Sequence, residues 1–271
     1  MFKVFATFFF LFLFAVASFA QVFQRPFDPA SALALGGATI AMPSTSAGIA
    51  NEAVLGRCEK AGAMAGASLP YSLGDWQVAH FQGFVRIDSV SAVGIELQHS
   101  AIKGYGEQRA RLQYGRRLGT KLWLGANVDV FHVSAEEYAS KNAATFGIAL
   151  LAQPLKNCFI AARINNPLQL KIGENVPANV MRIGFSWKVS PILLLLVETE
   201  KDLERPAQLK LGLEYQTHRL LALRTGIRTH PVRPCLGAAL QLKNGISLDF
   251  GSEWHTVLGI TPAAGLRWRR I

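Results

Sequence analysis

The residues of this 271-residue chain best suited to chemistry are charged side chains at even spacing. Arg109 and Arg111 frame one alanine, Lys210 and Glu214 frame a Leu-Gly-Leu, Arg224 and Arg228 frame a Thr-Gly-Ile, and Arg182 and Asp249 sit in similar settings. Even spacing puts such groups on one face of a strand. There they can form cross-strand ion pairs, or line a path for an anionic or amphipathic ligand. Acids and bases both belong to the set, which favours the structural network over the ligand path. Catalysis is not indicated. The histidines are scattered at His80, His99, His132, His218, His230 and His255, and His132-Val133-Ser134 is adjacency without a positioned base. There is no phosphate-binding glycine loop, His-Glu-x-x-His or Gly-x-Ser-x-Gly. Cys58, Cys158 and Cys235 are odd in number and far apart, with neither disulfide nor metal spacing. The chain reads as a non-enzyme, with no cofactor and no metal.

The elements that hold these charges have a period of two. In "MRIGFSWKV" Met181, Ile183, Phe185, Trp187 and Val189 alternate with Arg182, Gly184, Ser186 and Lys188. "RARLQYGR", "QLKLGLEY", "LLALRTGIR" and "GISLDFGSEW" behave alike, each close to the 9–11 residues of a tilted membrane strand. An Arg or Lys facing lipid at mid-bilayer costs about 2–4 kcal/mol, so half a dozen would exceed a typical stability of about 5–15 kcal/mol. Arg109, Arg111, Arg182, Lys188, Lys210, Arg224 and Arg228, with Glu96, Glu214, Asp249 and Glu253, are therefore expected to face a lumen. "ILLLLVE" at Ile192–Glu198 is apolar on both faces, so its inward face must meet something apolar.

Tight links near Ile87–Ser89, Leu118–Thr120, Pro154–Lys156, Ser190–Pro191, Thr217–Arg219 and Lys243–Gly245 alternate with longer ones. The long links are expected at Ser100–Gly106, Ser134–Lys141, Asn166–Pro177, Lys201–Arg205 and Thr229–Arg233. Outer-membrane barrels sort connections in this way, with tight periplasmic turns. Lys60 to Arg270 accommodates about fourteen strands, an even number, as closure in such barrels requires. The expected fold is an all-β transmembrane antiparallel barrel, with its first strand near Ala61–Leu69 beside its last near Gly259–Arg270. Trp76, Trp123, Trp187, Trp254 and Trp268 fall near strand ends, as an interfacial belt would have them. Trp123 is out of phase with Leu122 and Leu124 and should face inward.

Only 17% of residues are charged, below the roughly 25% of soluble domains, yet no segment after the N-terminus is long enough for a membrane helix. "MFKVFATFFFLFLFAVASFA", residues 1–20, has the form of a signal peptide, with Lys3 before an apolar core and Ser18-Phe19-Ala20 at its end. Residues 21–57 are rich in small side chains and are expected to plug the lumen, leaving residues 58–271 for the barrel. The net charge of +10 is dispersed. It suits anionic lipid headgroups, an anionic ligand or lumen ion pairs rather than nucleic acid.

"LALGGATIAMPSTSAGIANEAVL" at Leu33–Leu55 resembles the Gly-Gly-Ala start and Asn-Pro-Ala-x-Leu motif of the PorV/PorQ family of outer-membrane barrels, which is related to the fatty-acid transporter FadL. Here the motif reads Asn51-Glu52-Ala53-Val54-Leu55, with Glu52 in the proline position. "ARINNPLQL", "MRIGFSW", "QLKLGLEY", "LALRTGI" and "GAALQLKNGISLDFG" follow in the family's order, while the terminal "LRWRRI" departs from the aromatic ending common in such barrels. The resemblance implies an N-terminal segment in the lumen, with Asn51 and Glu52 in its turn, and a place in or near the type IX secretion machinery of Bacteroidetes. The function expected is a scaffold or docking component in the outer membrane, with lipid and secretion-machinery proteins as partners. The alternative is a FadL-like passive channel for hydrophobic or amphipathic small molecules. A secreted soluble β-protein is a third reading, which a solvent-facing apolar rank would contradict.

Overall fold

The computed structural model describes residues 28–58, 60–136, 138–170, 179–203 and 205–270. The expected leader at residues 1–20, residues 21–27 of the expected plug, and residues 171–178 of the Asn166–Pro177 connection lie outside them. The strands are β1 Ala61–Ser68, β2 Gln77–Arg86, β3 Ser91–Ile102, β4 Tyr105–Arg117 and β5 Leu122–Ala135. They continue as β6 Tyr138–Leu155, β7 Cys158–Asn165, β8 Val180–Ser190, β9 Leu193–Asp202 and β10 Gln208–His218. The last are β11 Leu221–Arg228, β12 Arg233–Gln241, β13 Ile246–His255 and β14 Gly259–Arg269. Each pairs antiparallel with its neighbours, and β1 pairs with β14, closing a barrel of 14 strands. Closure leaves no free sheet edge, so spanning backbone groups find partners within the wall.

The alternation sets the two faces. On β8, Met181, Ile183, Phe185 and Trp187 are exposed while Gly184 and Ser186 are buried. On β10, Leu209 and Leu211 point out while Gln208 and Lys210 are buried. A rank of aliphatic and aromatic side chains exposed on a closed wall suits hydrocarbon. Trp187, Trp254 and Trp268 lie on it near strand ends, whereas Trp123 is buried inside, as its phase requires. No helix among the described residues is long and apolar enough to cross a membrane, so the strands do the crossing.

The connections depart from expectation at two places. Instead of long loops at Ser100–Gly106 and Ser134–Lys141, β3 and β4 pair out to Ile102↔Tyr105, and β5 and β6 out to Ala135↔Tyr138. Tyr105 and Ala143 pack against the inward Phe131 and Val133, which gives these hairpins an apolar inner face beyond the polar mid-barrel. Gly104, at φ +77°, makes the β3–β4 turn in a conformation that favours glycine. Lys188, expected inside, is exposed at the rim because β8 ends two residues later.

Residues 28–57 run against the inner wall. A short helix, Ala30–Ala34, leads to the Gly36-Gly37 turn, and a 3-10 helix spans Glu52–Arg57. Asn51 caps the latter, its side-chain oxygen accepting the Ala53 amide hydrogen at 2.9 Å. Glu52 opens that helix directly after the cap. Two apolar clusters seat the segment. Ile40, Ile49, Val54 and Leu55 pack with Trp123, Leu151 and Phe159, and Leu35, Ala38 and Met42 pack with Leu194 and Leu196. The latter contact is the apolar partner that the inward face of "ILLLLVE" required. Small inward residues let the backbones approach. A Cβ on Gly115 would stand 2.2 Å from the Glu52 carbonyl oxygen, and one on Gly226 would stand 2.3 Å from the Gly36 nitrogen.

Candidate functional site

The polar rank of the barrel closes into paired charges. On β4 and β5, Arg111 grips Asp129 with two hydrogen bonds, Nε to Oδ1 at 2.6 Å and Nη2 to Oδ2 at 3.1 Å. Such a fork holds a carboxylate in a fixed plane. Asn127 adds a third hydrogen bond to Asp129 at 2.8 Å, and Arg109 pairs with Glu96 on β3. Arg163 of β7 donates to Glu52 at 2.6 Å and to the Ala50 carbonyl at 2.8 Å, so this cluster reaches the N-terminal segment.

A second cluster spans β8, β9 and β10. Arg182 meets Glu198 at 2.6 Å, and Lys210 lies between Glu198 and Glu200 at 3.1 and 2.6 Å. The other Glu198 oxygen accepts the amide hydrogens of Thr39 and Ile40 at 2.9 and 3.0 Å. The third cluster covers β10 to β14. Arg224 joins Glu214 at 2.7 Å to Asp249 at 2.5 Å, and Arg228 joins Asp28 to Glu253 at 2.9 Å each.

Of the residues expected to face the lumen, Arg109, Arg111, Arg182, Lys210, Glu214, Arg224, Arg228, Asp249, Glu96 and Glu253 join these inward clusters, and Lys188 does not. Asn51 and Glu52 lie at the seat of the N-terminal segment, with Glu52 fully buried. Sequence reasoning missed Arg163, Asp129, Glu198 and Glu200, which complete the pairs. Their signal was the same one, a polar residue on the inward phase of "NVDVF", "ARINN" and "VETEK". With Arg233 on Glu253 at 2.7 Å and Arg267 beside Asp249 at 3.8 Å, nine basic side chains meet nine carboxylates in these clusters among the described residues. Removing either member of a buried pair strands a charge at a cost of about 3–5 kcal/mol, so the network rigidifies the interior while keeping it near neutral.

Above the clusters, at the end that carries the β1–β2 connection, lies a cavity of about 540 Å³. Tyr71, Trp76, Tyr105 and Phe131 supply aromatic wall, and Arg109, Arg182, Glu200 and Arg228 supply charged floor. Asp28 and Leu33 of the N-terminal segment also line it. A separate groove of about 920 Å³ runs on the outside of β2 to β6. It is walled by Val85, Ile95, Leu112, Val128 and Ile148, and the inward Gln113 and Asn127 show at its base. Gly62, Gly83, Gly94 and Gly147 also line it. The Gln113 amide atoms are buried without a hydrogen-bond partner. No cluster of histidine, cysteine or carboxylate side chains among the described residues has the form of a metal site.

No family model matches the chain, and no curated protein matches it in sequence. Solved structures match in fold. The Pseudomonas putida toluene transporter TodX is similar at TM-score 0.64 and 10% identity, over 92% of this chain and 98% of that one. The Ralstonia pickettii toluene transporter TbuX gives TM-score 0.65 at 10% identity, over 90% and 98%. A Pseudomonas aeruginosa FadL homologue gives 0.61 at 9% identity, over 91% and 98%. At such identities the likeness establishes the fold. With the closed wall and its exposed apolar rank, it makes this chain an outer-membrane β-barrel.

Proposed function

We propose that this barrel is a passive outer-membrane channel for hydrophobic or amphipathic small molecules, with residues 28–57 as its plug. The observation that carries the reading is the cavity at the long-connection end, which combines an aromatic wall with a charged floor and stands over a segment lying along the inner wall. Aromatic rings desolvate the apolar body of a solute, and a few polar groups orient it. TodX and TbuX, which share the fold, are toluene transporters, which supports small aromatic solutes as the first class to try. On this reading residues 28–57 obstruct the axis below the cavity, and a lateral route is offered by the groove outside β2 to β6, where the Gln113 amide lacks a hydrogen-bond partner among the described residues. Pairing across β2 to β6 is continuous, so passage there requires the wall to move. An apolar ligand site against Leu194 and Leu196 is disfavoured, because Leu35, Ala38 and Met42 already cover them.

The test is uptake of a small aromatic hydrocarbon into vesicles carrying the purified protein. Faster uptake than into empty vesicles, slowed by Phe131→Ala with Tyr105→Ala, supports the reading. Equal uptake with and without protein defeats it.

A second reading, the PorV/PorQ-like docking component of secretion or envelope machinery, is favoured by one observation. Polar and charged contacts fasten residues 28–57 to several strands of the wall. That reading expects no solute flux and a stable complex with envelope proteins after cross-linking in cells.

A further inference from the structure

The lumen charges nearly cancel, so the chain's excess of cations must lie elsewhere, and it lies at one end of the barrel. The antiparallel order brings the turns after β2, β4, β6, β8, β10 and β12 to a single rim, together with the start of β1 and the end of β14. Arg117 and Lys121 flank Leu118 in one turn, and Lys156 follows Leu155 in the next. Arg219 precedes Leu220, and Lys243 follows Leu242. These four leucines are 45–65% exposed, and all five cations are exposed and outside any ion pair among the described residues. Asp88 is the one carboxylate in the described residues of these turns, and it is occupied by the Val90 and Ser91 amides at 2.7 Å each. The opposite end mixes Lys103, Lys201 and Arg205 with Asp75, Glu107 and Glu136.

We propose that this tight-turn rim is a collar that binds anionic phospholipid headgroups of the leaflet it meets. An acidic protein surface would be served by the cations alone. A repeated aliphatic beside each cation suits the boundary of a bilayer, where the leucine enters the acyl region and the basic group reaches the phosphate. The rim borders the lipid-facing belt directly, and every turn on it is short, whereas the opposite end also carries the long connections between β1 and β2 and between β7 and β8, which marks the rim as periplasmic. The collar is independent of whether the barrel conducts.

The experiment is native mass spectrometry of the full barrel released from mixed micelles of phosphatidylglycerol and phosphatidylcholine, beside the variant R117Q/K121Q/K156Q/R219Q/K243Q. One cation near an anionic surface is worth about fivefold in affinity, so wild type should retain phosphatidylglycerol preferentially. The variant should lose that preference by about tenfold or more, while K103Q/K201Q at the other end should keep it. Heat-modifiable gel mobility reports that each variant is folded. Equal retention of both lipids by wild type, or an unchanged preference in the folded variant, overturns the proposal. So does a rim that holds lipid A phosphates and not phosphatidylglycerol, or one protected only by an acidic envelope protein.

Discussion

Glu52 and Arg163 are 111 residues apart in the chain, and their side chains meet at 2.6 Å inside the barrel. The Glu52 carboxylate joins the N-terminal segment to the strand wall. Arg111 stands 3.7 Å from the same carboxylate oxygen. Replacing Glu52 with alanine leaves Arg163 buried and without its nearest carboxylate. The expected loss is about 3–5 kcal/mol, read as an earlier unfolding midpoint in guanidinium with the barrel in lipid. The double variant Glu52→Leu with Arg163→Met should recover much of it, because an apolar replacement leaves no stranded charge.

Glu198 is the second tie. It accepts the Thr39 and Ile40 amide hydrogens with one oxygen, while Arg182 and Lys210 hold the other. Glu198→Ala should loosen residues 28–57 without removing a wall strand. Planar-bilayer recordings should show larger or more frequent ion conductance than wild type. An unchanged, silent trace would mean that this segment does not control the axis.

Gly226 faces Gly36 so closely that any Cβ must displace the N-terminal segment. Gly226→Val should keep the heat-modifiable barrel while making an engineered Leu35→Cys react with a water-soluble maleimide. In the parent background Leu35 is fully buried, and the same cysteine should stay unlabelled.

The lipid-facing rank can be tested by moving charge one residue. Ile183 points outward next to the inward Arg182, near the middle of β8. Ile183→Arg should cost about 2–4 kcal/mol of folding stability in lipid vesicles. Arginine at Ser186, on the inward phase, would instead meet the Ala41 carbonyl, which the Ser186 hydroxyl now donates to at 2.8 Å, and should expel the segment.

Asp88 gives a pH effect confined to a turn. The Val90 amide, helped by that of Ser91, holds its carboxyl below the ordinary carboxylate value. Because the folded-state value is the lower one, the stabilisation is fully present above the unfolded-state value and fades as pH falls through the folded-state one. Asp88→Asn should flatten the acid limb of stability, measured by thermal unfolding between neutral and strongly acidic pH.

What the sequence determined by itself was sidedness. Alternation is local, each strand repeats it, and a bilayer penalises every charged residue on the wrong face, so "MRIGFSW" and "QLKLGLEY" put Arg182 and Lys210 on the face opposite the apolar rank. The inward phase of residues such as Arg111, Arg224 and Asp249 was legible for that reason, whereas Lys188 shares the phase of Arg182 but lies exposed near the end of β8. The tertiary structure decided which charges pair. Arg111 finds Asp129 only through the β4–β5 register, and Arg163 finds Glu52 only because a segment from the far end of the chain lies against β7. It also decided that β3 to β6 run on into tight hairpins, since the packing of Phe131 and Val133 against Tyr105 and Ala143 joins positions that no local window contains. Periodicity reports the two media on either side of a strand. Partners are set by register and closure, which are properties of the assembled barrel.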